Sequence, residues 1–296
     1  MKVFVSFIVA FFIVISTSAQ VKTPELFGVD YSIDKLKNDS INGSLYNINA
    51  FTNFPIYKND KNVFGGRIQY KTRNINELNN EINRDFHSFD INTFWGIKLN
   101  EKAELLAFAQ LGLYSELKDW NADDLRYSFG FRYNITHGSK LKTGWGLAYN
   151  KQFFGNQISP FIFVDYDFNY RWKISGLFPI KPKLSYKINE KMNWVTELSG
   201  SANSFRISDT ENNFVRINNW NVVSKIEYTL RKHHQFFAGF GHNLRQDIKL
   251  YNQGSGNDWT IFTFDITGKE KPIYQARTSG YKLEIGYRFI LNMSGQ

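Results

Sequence analysis

Histidine and serine are the side chains most able to do chemistry in a chain of 296 residues that has no cysteine. Five histidines occur, His87, His137, His233, His234 and His242. His137 and the His233-His234 pair fall in short polar segments between strand-like runs, where a solvated turn residue is the expected reading. His242 shares parity with Phe236, Phe240 and Leu244, the apolar side of an alternating run. Ser88 and Ser204 have no spacing to a histidine that would make a nucleophile and its base. There is no G-x-S-x-G, no phosphate loop and no metal-ligand spacing, so neither an enzymatic centre nor a cofactor is expected.

The residues that carry charge at a regular spacing are more informative. Arg126, Ser128, Gly130, Arg132 and Asn134 alternate with Leu125, Tyr127, Phe129, Phe131, Tyr133 and Ile135. The same period of two sets Asn193 and Glu197 against Met192, Trp194, Thr196 and Leu198. It also sets Lys282, Glu284 and Arg288 against Tyr281, Leu283, Ile285, Tyr287 and Phe289. Such alternation belongs to β-strands with one apolar and one polar face.

Composition says which face meets what. Aromatic residues make up 17% of the chain, yet the mean hydropathy is −0.40. Residues 1–19 have one positive charge, Lys2, an apolar run from Val3 to Ile15, and the small residues Thr17-Ser18-Ala19. That is the pattern of a cleaved export signal, which leaves residues 20–296 as one domain. No later stretch is long and apolar enough for a membrane helix. An exported, aromatic-rich, net-polar chain without disulfides reads as an all-β transmembrane antiparallel up-and-down β-barrel of an outer membrane. The net charge of +9 is spread along the chain rather than clustered, which argues against a nucleic-acid partner.

Fourteen crossings are expected, at 26–36, 44–56, 61–71, 86–98, 102–114, 124–134, 141–151, 158–168, 171–178, 181–188, 191–206, 213–230, 234–250 and 279–292. Tight turns near 57–62, 99–102, 135–140, 168–170, 188–191 and 230–233 alternate with longer connections at 37–43, 72–85, 115–123, 152–157, 207–213 and 251–278. Tight turns belong on the periplasmic side and long loops outside, which puts both termini in the periplasm. Pro179 and Pro182 fit a turn better than a central strand. If residues 171–188 were one kinked strand, the count would fall toward twelve. The parity change from Val215 and Ile217 to Trp220, Val222, Ile226 and Tyr228 predicts a β-bulge at Asn218-Asn219. Residues 251–278, with an apolar W-T-I-F-T-F, are expected to form a hairpin above the membrane or fold into the lumen.

On this reading Arg67, Lys71, Arg126, Arg132, Lys142, Glu197, Lys225, Glu227, Arg245, Lys282, Glu284 and Arg288 line the lumen, with Asp90 and Asp165. Lys225 with Glu227, and Lys282 with Glu284, sit two apart and suit local pairing. The charges either fill the interior with ion pairs or make a slightly cationic channel for small anionic solutes. The expected role is a passive channel or solute-transport protein. The other possibility is a non-conducting barrel whose exposed loops act structurally, in adhesion or on lipids. Its partners would be outer-membrane lipid and lipopolysaccharide.

The segment Y-R-W-K-I-S-G-L-F-P-I-K-P-K-L-S-Y-K-I-N-E-K-M-N-W, residues 170–194, resembles a family of uncharacterised Gram-negative outer-membrane barrel proteins that share a "strand, turn, G-x-P, strand, Y-x-x-N-x-K" rhythm. The resemblance implies location and fold and supplies no catalytic residue. The run Tyr281, Tyr287 and Phe289 also resembles the terminal assembly signal of outer-membrane proteins, which implies the outer-membrane assembly machinery as a partner. The chain departs from that pattern by continuing to Gln296.

Overall fold

The computed structural model describes residues 25–119, 121–208, 210, 213–252, 258–268 and 271–291; the proposed signal at 1–19 lies outside them. Its strands are β1 (Glu25–Lys37), β2 (Asn42–Lys58), β3 (Asn62–Asn76), β4 (Asp85–Lys98), β5 (Ala103–Ser115), β6 (Leu125–His137), β7 (Leu141–Gln152) and β8 (Gly155–Asp167). They continue as β9 (Trp172–Phe178), β10 (Lys181–Lys187), β11 (Met192–Arg206), β12 (Phe214–Leu230), β13 (His234–Tyr251), the short β14 (Trp259–Ile261) and β15 (Phe264–Asp265), and β16 (Tyr274–Ile290). Leaving out β14 and β15, each strand pairs antiparallel with its sequence neighbour, and β1 pairs with β16, Tyr31 opposite Ile285. The sheet is a closed fourteen-strand barrel without free ends, as the alternation requires.

Four of the six tight turns share one device. Asn59, Asn100, Asn169 and Asn189 each turn their side-chain oxygen back to accept from the backbone N–H groups two and three residues on. This closes a turn with local chemistry alone, which is why Asn marks these positions. Glu25 pairs with Ile290, so β1 begins and β16 ends at the tight-turn rim.

Outward residues are apolar and exposed along the wall: Val29 and Tyr31 on β1, Leu111 on β5, Tyr127 and Phe129 on β6, Trp145 on β7, Phe240 on β13, Leu283 and Ile285 on β16. An exposed apolar band around a closed barrel is the face that meets the hydrocarbon of a membrane.

Two strands are short. β9 and β10 have seven residues each, joined at Pro179-Ile180 through a cis Phe178–Pro179 bond. They are separate strands, which gives fourteen crossings rather than twelve. Their hairpin pairs only as far as Ile162 on β8 and Glu197 on β11, with one more bond from the Gly200 N–H to the Ile180 carbonyl, and both flanking strands rise beyond it. Pro160, with no N–H to give, sits on this stretch of β8. Higher up, β14 adds to β8 in parallel, from Asn156 to Ile158. The described hairpin of the 251–278 connection therefore patches the wall, instead of standing above the barrel or filling the lumen. Trp259 meets outward-facing Tyr149, with ring centroids 6.4 Å apart.

At the long-loop rim the upper end of the β11–β12 pair is buried on both faces. Ser204, Phe205, Arg206, Phe214, Val215, Arg216 and Ile217 are all buried. Arg206 pairs in parallel with Ser115 of β5, a strand on the far side of the ring. The walls meet there, and the described residues narrow the barrel's mouth. The expected bulge at Asn218-Asn219 is absent from β12, which keeps unbroken register with β11 from Phe214 to Tyr228. Val215 and Ile217 are apolar and inward because they join a dry core inside the mouth. The extra residue lies instead on β13 at Leu244, opposite Trp220 and Asn221.

Candidate functional site

The lumen changes character along its length. Toward the tight turns it is lined by charge. Arg67 and Arg288 flank Glu25, at 3.7 and 3.0 Å, and Arg288 also approaches Asp30 at 3.6 Å. Lys142 meets Glu104 at 2.5 Å, and Lys173 bridges Asp165 and Asp167. Lys183 reaches Glu227 at 3.6 Å, Lys181 reaches Glu197 at 3.5 Å, and Lys225 reaches Glu284 at 3.4 Å. Higher up, Lys71 lies 3.7 Å from the fully buried Asp90, and Lys282 donates to Asp34 at 2.9 Å.

The pairs expected two apart on one strand do not form. Lys225 takes Glu284, Glu227 takes Lys183, and Lys282 takes Asp34. Residues i and i+2 on a strand are about 6.6 Å apart, whereas cross-strand neighbours can approach to about 5 Å, and long lysines reach one strand further. These pairs are largely buried, so their attraction is set against the cost of taking both charges out of water. Their effect is to keep charge satisfied in a narrow, wet interior.

Arginine is held differently. Arg67 lies over Phe51 at 4.1 Å, Arg132 over Phe163 at 4.1 Å, Arg126 over Phe153 at 3.1 Å and Arg288 over Phe237 at 4.8 Å. Two of the phenylalanines rest on glycine, Phe237 on Gly286 and Phe51 on Gly28. The result at these two is a layered Gly, Phe, Arg stack, and at all four the guanidinium is held by cation–π attraction. Arg126 and Arg132 have no ion pair among the described residues, and the Nε of each is buried without an acceptor.

The mouth at the long-loop rim is apolar. Leu36, Leu45, Ile75, Phe86, Tyr114, Phe205, Ile217, Ile248 and Leu250 form one core, drawn from both sides of the ring. Phe205 is its centre, 5.2 Å from Phe86 and 5.8 Å from Tyr114 in ring centroids. Above it acidic side chains of the β5–β6 connection clasp the opposite wall. Arg206 pairs with Asp124 at 2.6 Å and Asp119 at 3.0 Å, and Glu116 accepts from Arg84 and from the Ser208 N–H at 2.9 Å. A short helical turn, Ala122–Asp124, capped by Asn121, presents Asp124 to Arg206.

Eleven of the twelve expected lumen charges lie on the inward register. Arg245 does not. The extra residue at Leu244 shifts its parity, so it pairs with outward Trp220 and binds Asp247 on the outer face. Sequence reasoning missed Arg73, which approaches the Phe205 ring at 5.8 Å, and Lys173, Lys181 and Lys183 on the short hairpin. The signal for the last three was present in the alternation of residues 172–187.

The histidines and serines hold no shared centre. His87 lies 2.8 Å from Tyr70 Oη, His137 2.8 Å from Thr143 Oγ1, and His234 2.9 Å from Tyr287 Oη. Ser204 accepts from the Phe153 N–H and donates to Gln152, which ties the β7–β8 turn to β11.

A family model described as a domain of unknown function (DUF6268) matches residues 16–256. The chain belongs to this family. No curated protein matches it in sequence. Among solved structures, an outer membrane channel from Pseudomonas putida F1 is similar at 11% identity and a TM-score of 0.48, covering 93% of this chain and 100% of that one. The NanC porin is similar at 10% identity and a TM-score of 0.40, covering 89% and 100%. The KdgM porin, solved with disordered oligogalacturonate, is similar at 8% identity and a TM-score of 0.38, covering 90% and 99%. At such identities the likeness is one of fold alone.

Proposed function

We propose that the protein is an outer-membrane channel for small anionic solutes, held shut at its cell-exterior mouth by the β11–β12 plug. The observation that carries this reading is the pair Arg126 and Arg132, lumen guanidiniums held on phenylalanine rings with no carboxylate bound to them. Every other expected cation of the lumen has an acidic partner, and Arg126 and Arg132 add two charges that no carboxylate pairs among the described residues. A lumen with that excess attracts anions and repels cations. The exposed apolar band meets lipid and lipopolysaccharide. The tight-turn rim, with both ends of the barrel sheet, faces the periplasm. β16 closes the barrel and carries the alternating aromatics that the assembly machinery would read.

The test is single-channel recording in planar bilayers with refolded, heat-modifiable protein. Openings should prefer anions, and Arg132→Glu should lower the anion-to-cation permeability ratio. Openings with unchanged selectivity in Arg132→Glu would remove these residues from the path. The apolar plug favours one second reading, a barrel that never conducts and acts through its outer loops. Complete silence of folded protein at all voltages, with the plug intact or weakened, would establish that reading instead.

A further inference from the structure

Directly beneath the plug, where β6 and β7 face the inner side of β11, lies a polar cavity of about 90 Å³ lined by Gln110, Arg126, Ser128, Asn150, Gln157 and Asn203. We infer that this cavity is a binding site for a small carboxylate, or for the carboxylate end of a larger anionic solute, gripped by Arg126. The inference rests on the channel reading, because it names the ligand class that the lumen takes.

The donors in the cavity fall into two sets. Some are committed: the Gln110 amide to Asp90 and Tyr114, the Gln157 amide to the Phe262 carbonyl, and the Asn203 amide to Ser201 at 3.3 Å. The others are not. Ser128 and Asn150 have no side-chain hydrogen bond among the described residues, and Arg126 Nε is buried without an acceptor. One terminal nitrogen of Arg126 donates to the Leu125 carbonyl, and the guanidinium is packed against the Phe153 ring.

The acids beside it are Asp124 and Asp123. Asp124 is bound to Arg206 at 2.6 Å, and neither makes an ion pair with Arg126 among the described residues. Asp90 accepts from Tyr114 and Gln110 and faces Lys71. A buried Nε–H without an acceptor is costly, and the planar fork that carries it matches a carboxylate. Neutral donors on β6 and β7 stand ready for the second oxygen or for a hydroxyl group. Size sets the limit. A cavity of roughly 150 Å³ takes benzene, so the smaller one here takes a carboxylate with little attached.

Isothermal titration of the refolded full chain in detergent tests the site, with acetate as the probe and acetamide as its neutral isostere. Acetate should bind saturably and at least tenfold more tightly than acetamide. Arg126→Gln should weaken acetate at least tenfold, and Asn150→Ala a few-fold. Arg245→Gln, on the outer face, should leave it unchanged. If Arg126→Gln does not fold, Arg126→Lys, which keeps the charge and loses the fork, should weaken acetate several-fold. Equal binding of acetate and acetamide, or wild-type affinity in a folded Arg126 variant, would overturn the site. Recordings on the same preparation separate the two claims. Conductance without acetate binding overturns the site alone, whereas acetate binding in a permanently silent barrel overturns the channel and leaves the site standing.

Discussion

Phe205→Ala tests whether the plug is what keeps the barrel closed. Phe205 is 2% exposed and contacts Phe86 and Tyr114 from the opposite wall. Burying such a ring contributes about 1.5–3 kcal/mol, and each aromatic pair adds about 0.5–1.5 kcal/mol. The total agrees with the loss of about 3–5 kcal/mol typical of buried Phe→Ala changes. Both aromatic pairs join one wall to the other, so they exist only in the closed state. Losing about 3–4 kcal/mol from that state alone shifts the closed-to-open ratio by roughly 10²–10³, at about 1.4 kcal/mol per tenfold. In planar bilayers the variant should open far more often than the wild type at the same voltage, with the same unit conductance. A heat-modifiable Phe205→Ala barrel that opens no more often than wild type would refute the reasoning.

Two further changes probe the wall. Phe129 is 54% exposed on the outward face; Phe129→Arg should cost about 2–4 kcal/mol if that face meets the bilayer midplane, read as a lower urea midpoint in lipid. A change within about 0.5 kcal/mol, the usual range for a solvated surface, would mean that the face meets water. Gly146 faces the lumen, and a Cβ there would strike the Phe131 carbonyl and the Phe161 ring. Gly146→Val should therefore destabilise the barrel by about 1–3 kcal/mol, and an unchanged urea midpoint would show that Phe161 does not rest on this glycine.

Much of the barrel was legible because period-two alternation and turn chemistry are local. Fourteen strands follow from apolar faces such as Leu125 to Ile135, and the tight turns from Asn59, Asn100, Asn169 and Asn189 capturing nearby backbone. Alternation cannot distinguish lipid from a dry protein interior, however, since both select apolar side chains. Val215 and Ile217 thus suggested a bulge when they fill the plug. The added residue at Leu244 leaves no compositional mark, yet it turns Arg245 to the outer face. The arginine stacks were hidden for a similar reason. Inward Phe51, Phe163 and Phe237 look like lipid-facing aromatics until glycine is found opposite them. The contact of β11 with β5 joins residues 115 and 206, a distance in sequence that no local pattern encodes.

The absence of cysteine from the chain allows a disulfide to be placed at that contact without interference. Ser115→Cys and Arg206→Cys, on paired backbone positions, introduced into Phe205→Ala, should lock the walls together when oxidised. The oxidised barrel should be silent, and the frequent openings of Phe205→Ala should return once a reductant is added. Equal conductance before and after reduction, with the disulfide confirmed by mass, would contradict a mouth closed by β11 against β5.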